Sequence, residues 1–108
     1  MDLAAECYRL TGGFPRTEMF GMTSQIRRAS SSVAANIAEG YGRQSTGSYV
    51  HFLRVSQGSL KELETHLLLA ERVGIVSADA VAAPLESCEA IGRKLVALVR
   101  SLEREPGA

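Results

Sequence analysis

The side chains best suited to chemistry are two histidines, His51 and His66, and a run of three serines that begins at Ser30. On one helix the histidines would stand about 22 Å apart, at about 1.5 Å per residue, so they cannot bind the same metal ion. Successive serines on a helix point in different directions, and no GxSxG elbow surrounds them. Residues 40–42 (Gly-Tyr-Gly) are too short for a phosphate-binding loop. We therefore expect no catalytic centre, metal site, cofactor or small-molecule substrate.

A second group of side chains suits contact with nucleic acid. It consists of four arginines in the first half of the chain: Arg27, Arg28, Arg43 and Arg54. Tyr41 and Tyr49 lie nearby in sequence. Guanidinium groups contact phosphates, and tyrosine rings stack on unpaired bases. The cluster is a candidate RNA or DNA interface; the alternative is a solvated set of charges in ordinary surface pairs.

Helices must position these side chains, because apolar residues recur at steps of three and four along almost the whole chain. The pattern predicts helices over about 2–12, 22–39, 46–73 and 78–104. Their short connections predict an all-α fold, an antiparallel up-down four-helix bundle that forms one domain over residues 1–108.

Several residues mark the ends of the predicted helices. Gly40 is expected to be the left-handed C-cap of the second helix, and Gly74 is expected to stop the third helix. Ser45 or Thr46 would cap the start of the third helix. Pro84 predicts a kink in the fourth helix or a late start of that helix.

Composition limits the classes of function. The 108 residues carry 12 basic and 12 acidic side chains, so the chain lacks the net positive charge typical of nucleic-acid binders. The charge is split, with three more basic than acidic residues up to Lys61 and three more acidic than basic residues after it. No signal peptide or membrane-spanning run is evident, which predicts a cytoplasmic protein with no membrane partner. Cys7 and Cys88 fall on apolar stripes and are expected to be buried, reduced thiols.

The second and third helices have a second side that lacks the charges of a solvated face. Its residues are small or apolar: Ser31, Ala35, Ala38, Val55, Gly58, Leu69 and Val73. One interpretation is that this side forms an interface between copies of the chain. If two different patches meet, the contact is heterologous and closes into a ring. The alternative is that these residues pack within one irregular bundle.

Two sequence blocks carry a resemblance to a known family. They are GMTSQIRRA at residues 21–29 and AANIAEGYGR at residues 34–43, with GSLKELET at 58–65 extending the match. The chain resembles the bacterial four-helix-bundle proteins of the 23S rRNA intervening-sequence type, and the accessory variability protein of diversity-generating retroelements is similar. The resemblance implies a homopentameric ring. It also implies nucleic-acid contacts by Arg27, Arg28 and Arg43.

Three polar residues of these blocks are not demanded by helical periodicity: Gln25, Asn36 and Glu39. The resemblance implies that they form structural hydrogen bonds in the bundle or the ring. Relatives of this type have a longer lead into the first helix, which implies either a short first helix here or a natural start other than Met1. The retroelement proteins are also strongly basic, unlike this chain.

Two functions agree with these features. The first is an oligomeric, non-enzymatic adaptor that binds RNA or a ribonucleoprotein. The second is a protein-binding scaffold that does not contact nucleic acid.

Overall fold

The computed structural model describes residues 2–104. Those residues contain four α-helices and no strand: α1 (Asp2–Thr11), α2 (Met22–Tyr41), α3 (Thr46–Arg72) and α4 (Ala78–Arg104). This confirms the predicted all-α fold. A short 3-10 turn at Arg16–Glu18 precedes α2 and was not predicted.

The helices form a closed cycle in which α2 packs on α3, α3 on α4, and α1 on both α2 and α4. In each pair of long helices, residue numbers rise along one helix as they fall along its neighbour, so the neighbours are antiparallel. The contacts that show this are Arg28–Glu62 and Ser32–Ser59 between α2 and α3, and Arg54–Glu103 and Leu60–Gly92 between α3 and α4.

The core forms along the apolar stripes of the helices. Helix α3 supplies most of its large, fully buried side chains: Leu53, Leu60, Leu63 and Leu67. Burying one such side chain contributes about 1.5–3 kcal/mol. Helix α3 also packs extensively on both long neighbours, α2 on one side and α4 on the other.

Helix α3 begins and ends as the sequence predicts. Ser45 is its N-cap, and the Ser45 hydroxyl accepts a hydrogen bond from the Ser48 amide at 3.1 Å. Gly74 follows the helix with a φ of 84°, and the Ile75 amide donates back to the Ala70 carbonyl at 2.9 Å. The Gly74 amide also donates to the Glu71 carbonyl at 3.1 Å. The two C-terminal bonds form a Schellman motif, which satisfies the last carbonyl groups of the helix.

The expectation that Gly40 is a left-handed C-cap was wrong. Helix α2 continues through Tyr41, and Gly74 alone among the glycines of residues 2–104 has a positive φ. A Cβ added to Gly40 would lie 2.9 Å from the Phe52 Cβ and 3.0 Å from the Tyr49 Cδ1. Gly40 therefore serves packing, since its missing side chain lets α2 approach α3.

Helix α4 does not start late. It begins at Ala78, where the Ser77 hydroxyl accepts a hydrogen bond from the Ala80 amide at 3.1 Å. Pro84 lies inside the helix with its side chain buried. The helix thus includes a residue that has no backbone N–H to donate.

The bundle is elongated, with extents of 50 × 22 × 18 Å and a radius of gyration of 15.1 Å. A compact domain of about 100 residues has a radius of gyration of about 13 Å. The long helices therefore expose long faces on the surface.

Candidate interaction surface

Polar contacts join α2 to α3 on the inner side of the pair. The Ser32 and Ser59 hydroxyls lie 2.8 Å apart, one from each helix. The Asn36 amide donates to the Ser32 carbonyl at 2.8 Å and to the Ser32 hydroxyl at 3.1 Å. Deeper in the core, the Ser56 hydroxyl donates to the Val33 carbonyl at 2.8 Å. Small polar side chains thus let the two helix backbones lie close together.

The opposite side of α2 and α3 is open to solvent. We call it the α2–α3 outer face, and all its members are exposed in the single chain: Ser31, Ala35, Ala38, Val55, Gly58, Leu69 and Val73. The three large members keep 39% (Val55), 44% (Leu69) and 58% (Val73) of their accessible surface. A Cβ at Gly58 would meet nothing within 4 Å. These residues therefore do not pack inside the bundle of one chain.

One ion pair connects the two helices beside this face. An Arg28 guanidinium nitrogen lies 3.1 Å from the Glu62 Oε1, and the same guanidinium donates to the Gln25 side-chain oxygen. Both ends of the pair are exposed, so it is screened by solvent and contributes little to stability. Arg28 can exchange this partner for another anion.

Arg27 points to the other side of α2, toward α1. Its Nε donates to the Thr11 hydroxyl at 2.8 Å, and its guanidinium carbon lies 4.8 Å from the centre of the Tyr8 ring. The side chain is half-buried. Arg27 therefore anchors α1 to α2 through a hydrogen bond and a cation–π contact.

Arg43 and Arg54 make contacts of their own. Arg43 donates to Glu39 at 2.5 Å and stacks over the Phe52 ring at 4.6 Å. Arg54 donates to Glu103 at 2.8 Å and so links α3 to α4. Of the four candidate arginines, Arg27 thus contacts α1, Arg54 contacts α4, and the other two contact residues of α3.

An exposed aromatic side chain lies next to Arg43 in sequence. Tyr41, at the end of α2, keeps 79% of its accessible surface. Its ring meets the Tyr49 ring edge to face, with 6.4 Å between centroids. The end of α2 and the connection after it thus carry the exposed ring of Tyr41 and the guanidinium of Arg43.

Three polar residues that the resemblance marks as structural do form hydrogen bonds within the chain. Gln25 accepts from Arg28, Glu39 accepts from Arg43, and Asn36 binds Ser32. Asn36 binds the serine whose hydroxyl also contacts Ser59 of α3.

The histidines stand apart. His51 is exposed and packs edge to face against the Phe52 ring, at 5.3 Å between centroids. His66 lies 3.6 Å from Glu62. In the part of the chain that the structure describes, no three His, Cys, Asp or Glu side chains are grouped so that they could hold a metal ion.

The two cysteines are free thiols with fully buried side chains. Burial raises the pKa of Cys7 to about 11, although a hydrogen bond with Ser30 opposes the shift. Burial also raises the pKa of Cys88 to about 12, with a smaller contribution from the neighbouring Cys7. Both groups stay protonated at neutral pH, and a buried neutral thiol is a poor nucleophile.

Sequence reasoning missed one apolar patch, at the 3-10 turn before α2. Phe20 keeps 95% and Met19 keeps 47% of their accessible surface. The only signal was Pro15, which fixes its own φ and so favours a turn directly after it.

No helix within residues 2–104 has the length and apolarity needed to cross a bilayer.

Comparison with known proteins gives a consistent picture. The family model described as "23S rRNA-intervening sequence protein" matches residues 1–97. The fold is similar to that of a protein with unknown function from the S23 ribosomal protein family of Bacteroides thetaiotaomicron, solved by crystallography. The TM-score is 0.81 at 22% identity, over 91% of this chain and 92% of that chain. No curated protein matches the sequence.

Proposed function

The chain belongs to the 23S rRNA-intervening sequence protein family, and from that membership we propose that it is a non-enzymatic, self-associating helical adaptor of the cytoplasm. Its copies meet through the α2–α3 outer face and close into a ring, for which the resemblance implies five members. The free, buried thiols suit a reducing compartment.

The exposed α2–α3 outer face is the observation that carries this proposal. Val55, Leu69 and Val73 leave apolar surface in water, and each Å² removed from water contributes about 25 cal/mol. Ser31, Ala35 and Ala38 are small enough for another helix to approach closely. Apolar surface with room for close contact is typical of an interface between subunits.

The mass of the protein in solution tests the proposal. Light scattering after size exclusion should give a multiple of the chain mass of 11.6 kDa. The double variant Ala35→Arg/Leu69→Asp should be a monomer, because it places two charges in the interface. Ala82→Arg on α4 is the matched control, since Ala82 is also exposed but lies on another helix. A wild-type monomer at tens of micromolar would overturn the proposal.

A second candidate function, RNA binding by the same ring, is favoured by the corner after α2. There an exposed Tyr41 lies near Arg43, and Arg28 is exposed further along α2. Each copy adds the same few contacts, so a ring can bind by avidity even when a single patch is weak. Because the net charge of the chain is zero, the attraction of one copy for RNA is weak, and several copies must bind together.

Titration with a structured rRNA fragment over a range of salt concentrations tests RNA binding. The affinity should fall steeply with salt, and the variant Arg28→Ala/Arg43→Ala/Tyr41→Ala should reduce both affinity and slope. Arg27 is left intact because it anchors α1. The control is Lys94→Ala/Arg104→Ala, which removes two exposed basic side chains from α4. A flat titration would favour the protein-binding scaffold instead.

A further inference from the structure

A groove runs along the outside of the bundle between α3 and α4. Its volume is about 530 Å³. Leu60, Gly92 and Val96 give it an apolar lining, and Val96 keeps 41% of its accessible surface. A Cβ at Gly92 would meet the Leu60 Cδ2 only at 3.4 Å. We call this cleft the α3–α4 groove; it is open because Gly92 carries no side chain to fill it.

The charges at the rim of the groove are not all matched. Lys61 pairs with Glu64 at 3.3 Å, and Arg93 pairs with Glu89 at 2.9 Å. Arg100 also lines the groove, at its end, and makes no ion pair with any carboxylate between residues 2 and 104. The groove thus offers apolar surface beside a cation that can accept an acidic partner.

The chain carries a surface with the complementary pattern. Glu62, Leu69 and Val73 follow one another on the outward side of α3, at steps of seven and four. We call them the α3 ridge. Leu69 and Val73 are exposed apolar groups, and the Glu62 pair with Arg28 uses only the Oε1 oxygen. The ridge therefore presents an available carboxylate oxygen and two apolar side chains.

The ridge and the groove agree in length and in order. At about 1.5 Å per residue, Glu62 to Val73 spans about 16 Å, and Cys88 to Arg100 spans about 18 Å. If Glu62 meets Arg100, Leu69 lies about 10 Å further along its helix. Gly92 lies about 12 Å from Arg100 on α4. Leu69 of one copy would then lie beside Gly92 of the other, where the groove has no side chain of its own.

We propose that the α3–α4 groove of one copy receives the α3 ridge of a second copy. This inference rests on the proposed self-association and names the two surfaces that meet. They are different surfaces, so the contact is head to tail, and an open assembly keeps a free ridge at one end and a free groove at the other until it closes.

The placement of the two surfaces around α3 favours closure. At about 100° per residue, Leu69 lies about 80–140° from the groove residues Gln57, Lys61 and Glu64. A head-to-tail contact between faces so placed turns the assembly at each added copy, which a ring requires and a straight filament lacks.

Mixing two interface variants tests the proposal. The ridge variant Leu69→Asp/Val73→Asp keeps its groove, and the groove variant Val96→Glu/Arg100→Glu keeps its ridge. All four positions are exposed, so the substitutions leave the core intact. Each variant alone should have the monomer mass of 11.6 kDa. An equimolar mixture should have twice that mass and grow no further, because one intact contact remains.

The outcomes separate this inference from the proposal on which it rests. If the wild type is a monomer, self-association itself fails. If the wild type is an oligomer but the mixture stays monomeric, or either variant alone still assembles, the ridge and groove are not the contact. Lys94→Glu on the exposed part of α4 is the control and should leave the wild-type mass unchanged. Dimer formation in the mixture also shows that both variants are folded.

Discussion

Helix α3 packs on its two long neighbours in two different ways, and one glycine on each neighbour shows the difference. Gly40 on α2 faces the Phe52 Cβ, which is fixed to the backbone and cannot move aside. A Cβ added to Gly40 would lie 2.9 Å from it. Gly92 on α4 faces the end of the Leu60 side chain, at an ordinary contact distance of 3.4 Å. The first glycine closes a helix pair and the second leaves a groove. A glycine inside a helix has no fixed structural meaning until the atoms opposite it are known.

The polar groups of the two helix pairs also differ. The inner contacts between α2 and α3 are hydrogen bonds of the Ser32, Ser59 and Ser56 hydroxyls, which do not titrate. The α3–α4 groove reaches the Cys88 thiol, which does titrate. Alkaline pH should therefore act on the packing around the buried thiols, Cys88 on α4 and Cys7 on α1, and leave the hydroxyl contacts between α2 and α3 unchanged.

Alkaline pH should have the largest effect. An unfolded chain releases its thiol protons near pH 9.0, whereas the folded chain holds those of Cys7 and Cys88 to about 11 and about 12. Each pH unit above 9.0 should then lower the free energy of unfolding by up to about 1.4 kcal/mol per thiol, until the pH passes the folded pKa. Urea unfolding from pH 8 to pH 11 measures this loss. Cys88→Ala should make the decline shallower; an equal slope would contradict the assignment.

Gly40→Ala should be the next largest effect. The new methyl group would force α2 away from α3, and such overpacking costs about 1–3 kcal/mol. That cost outweighs the gain in helix propensity of about 1 kcal/mol. The urea midpoint should fall, and a rise would show that α2 and α3 can separate freely. Gly42→Ala, just beyond the helix, controls for the loss of a glycine.

Ser56→Ala should have a moderate effect on the same helix pair. It removes the buried hydrogen bond to the Val33 carbonyl, which is worth about 0.5–1.5 kcal/mol. Thr65→Ala is the matched control, because the Thr65 hydroxyl bonds within its own helix and is exposed. Equal changes in the free energy of unfolding would mean that the Ser56 bond does not hold the helices together.

Gly92→Ala should have the smallest effect and the opposite sign. The methyl group fits at ordinary contact distance, so the gain in helix propensity of up to about 1 kcal/mol should raise the free energy of unfolding. Thermal and urea unfolding measure the change. Destabilisation equal to that of Gly40→Ala would remove the distinction between the two glycines.

The sequence predicted the fold well because the bundle follows from local rules. Apolar periodicity located all four helices, and Ser45 and Gly74 marked the ends of α3. The prediction for Gly40 was wrong because the sequence does not show that Phe52 packs against it. In sequence, a glycine needed for close packing looks the same as a glycine that ends a helix. The 3-10 turn at Arg16–Glu18 was missed because it carries no periodic pattern.

The candidate surface was less accessible to sequence reasoning. The exposure of residues such as Leu69 follows from helix geometry and could be anticipated. The partners of the arginines could not, because Thr11 is 16 residues from Arg27 and Glu103 is 49 residues from Arg54. The α3–α4 groove was equally hidden, since only the fold brings Gly92 of α4 opposite Leu60 of α3.

Pro84 has a consequence for how α4 opens. Because Pro84 donates no hydrogen bond, the ladder of backbone bonds is interrupted between the first turns of α4 and the rest of it. Amide protons of Val81 to Ala83 should exchange with deuterium faster than those after Leu85, although Val81 itself is buried. The start of α4 is then a separate cooperative unit that can unravel while the remainder of the molecule stays folded.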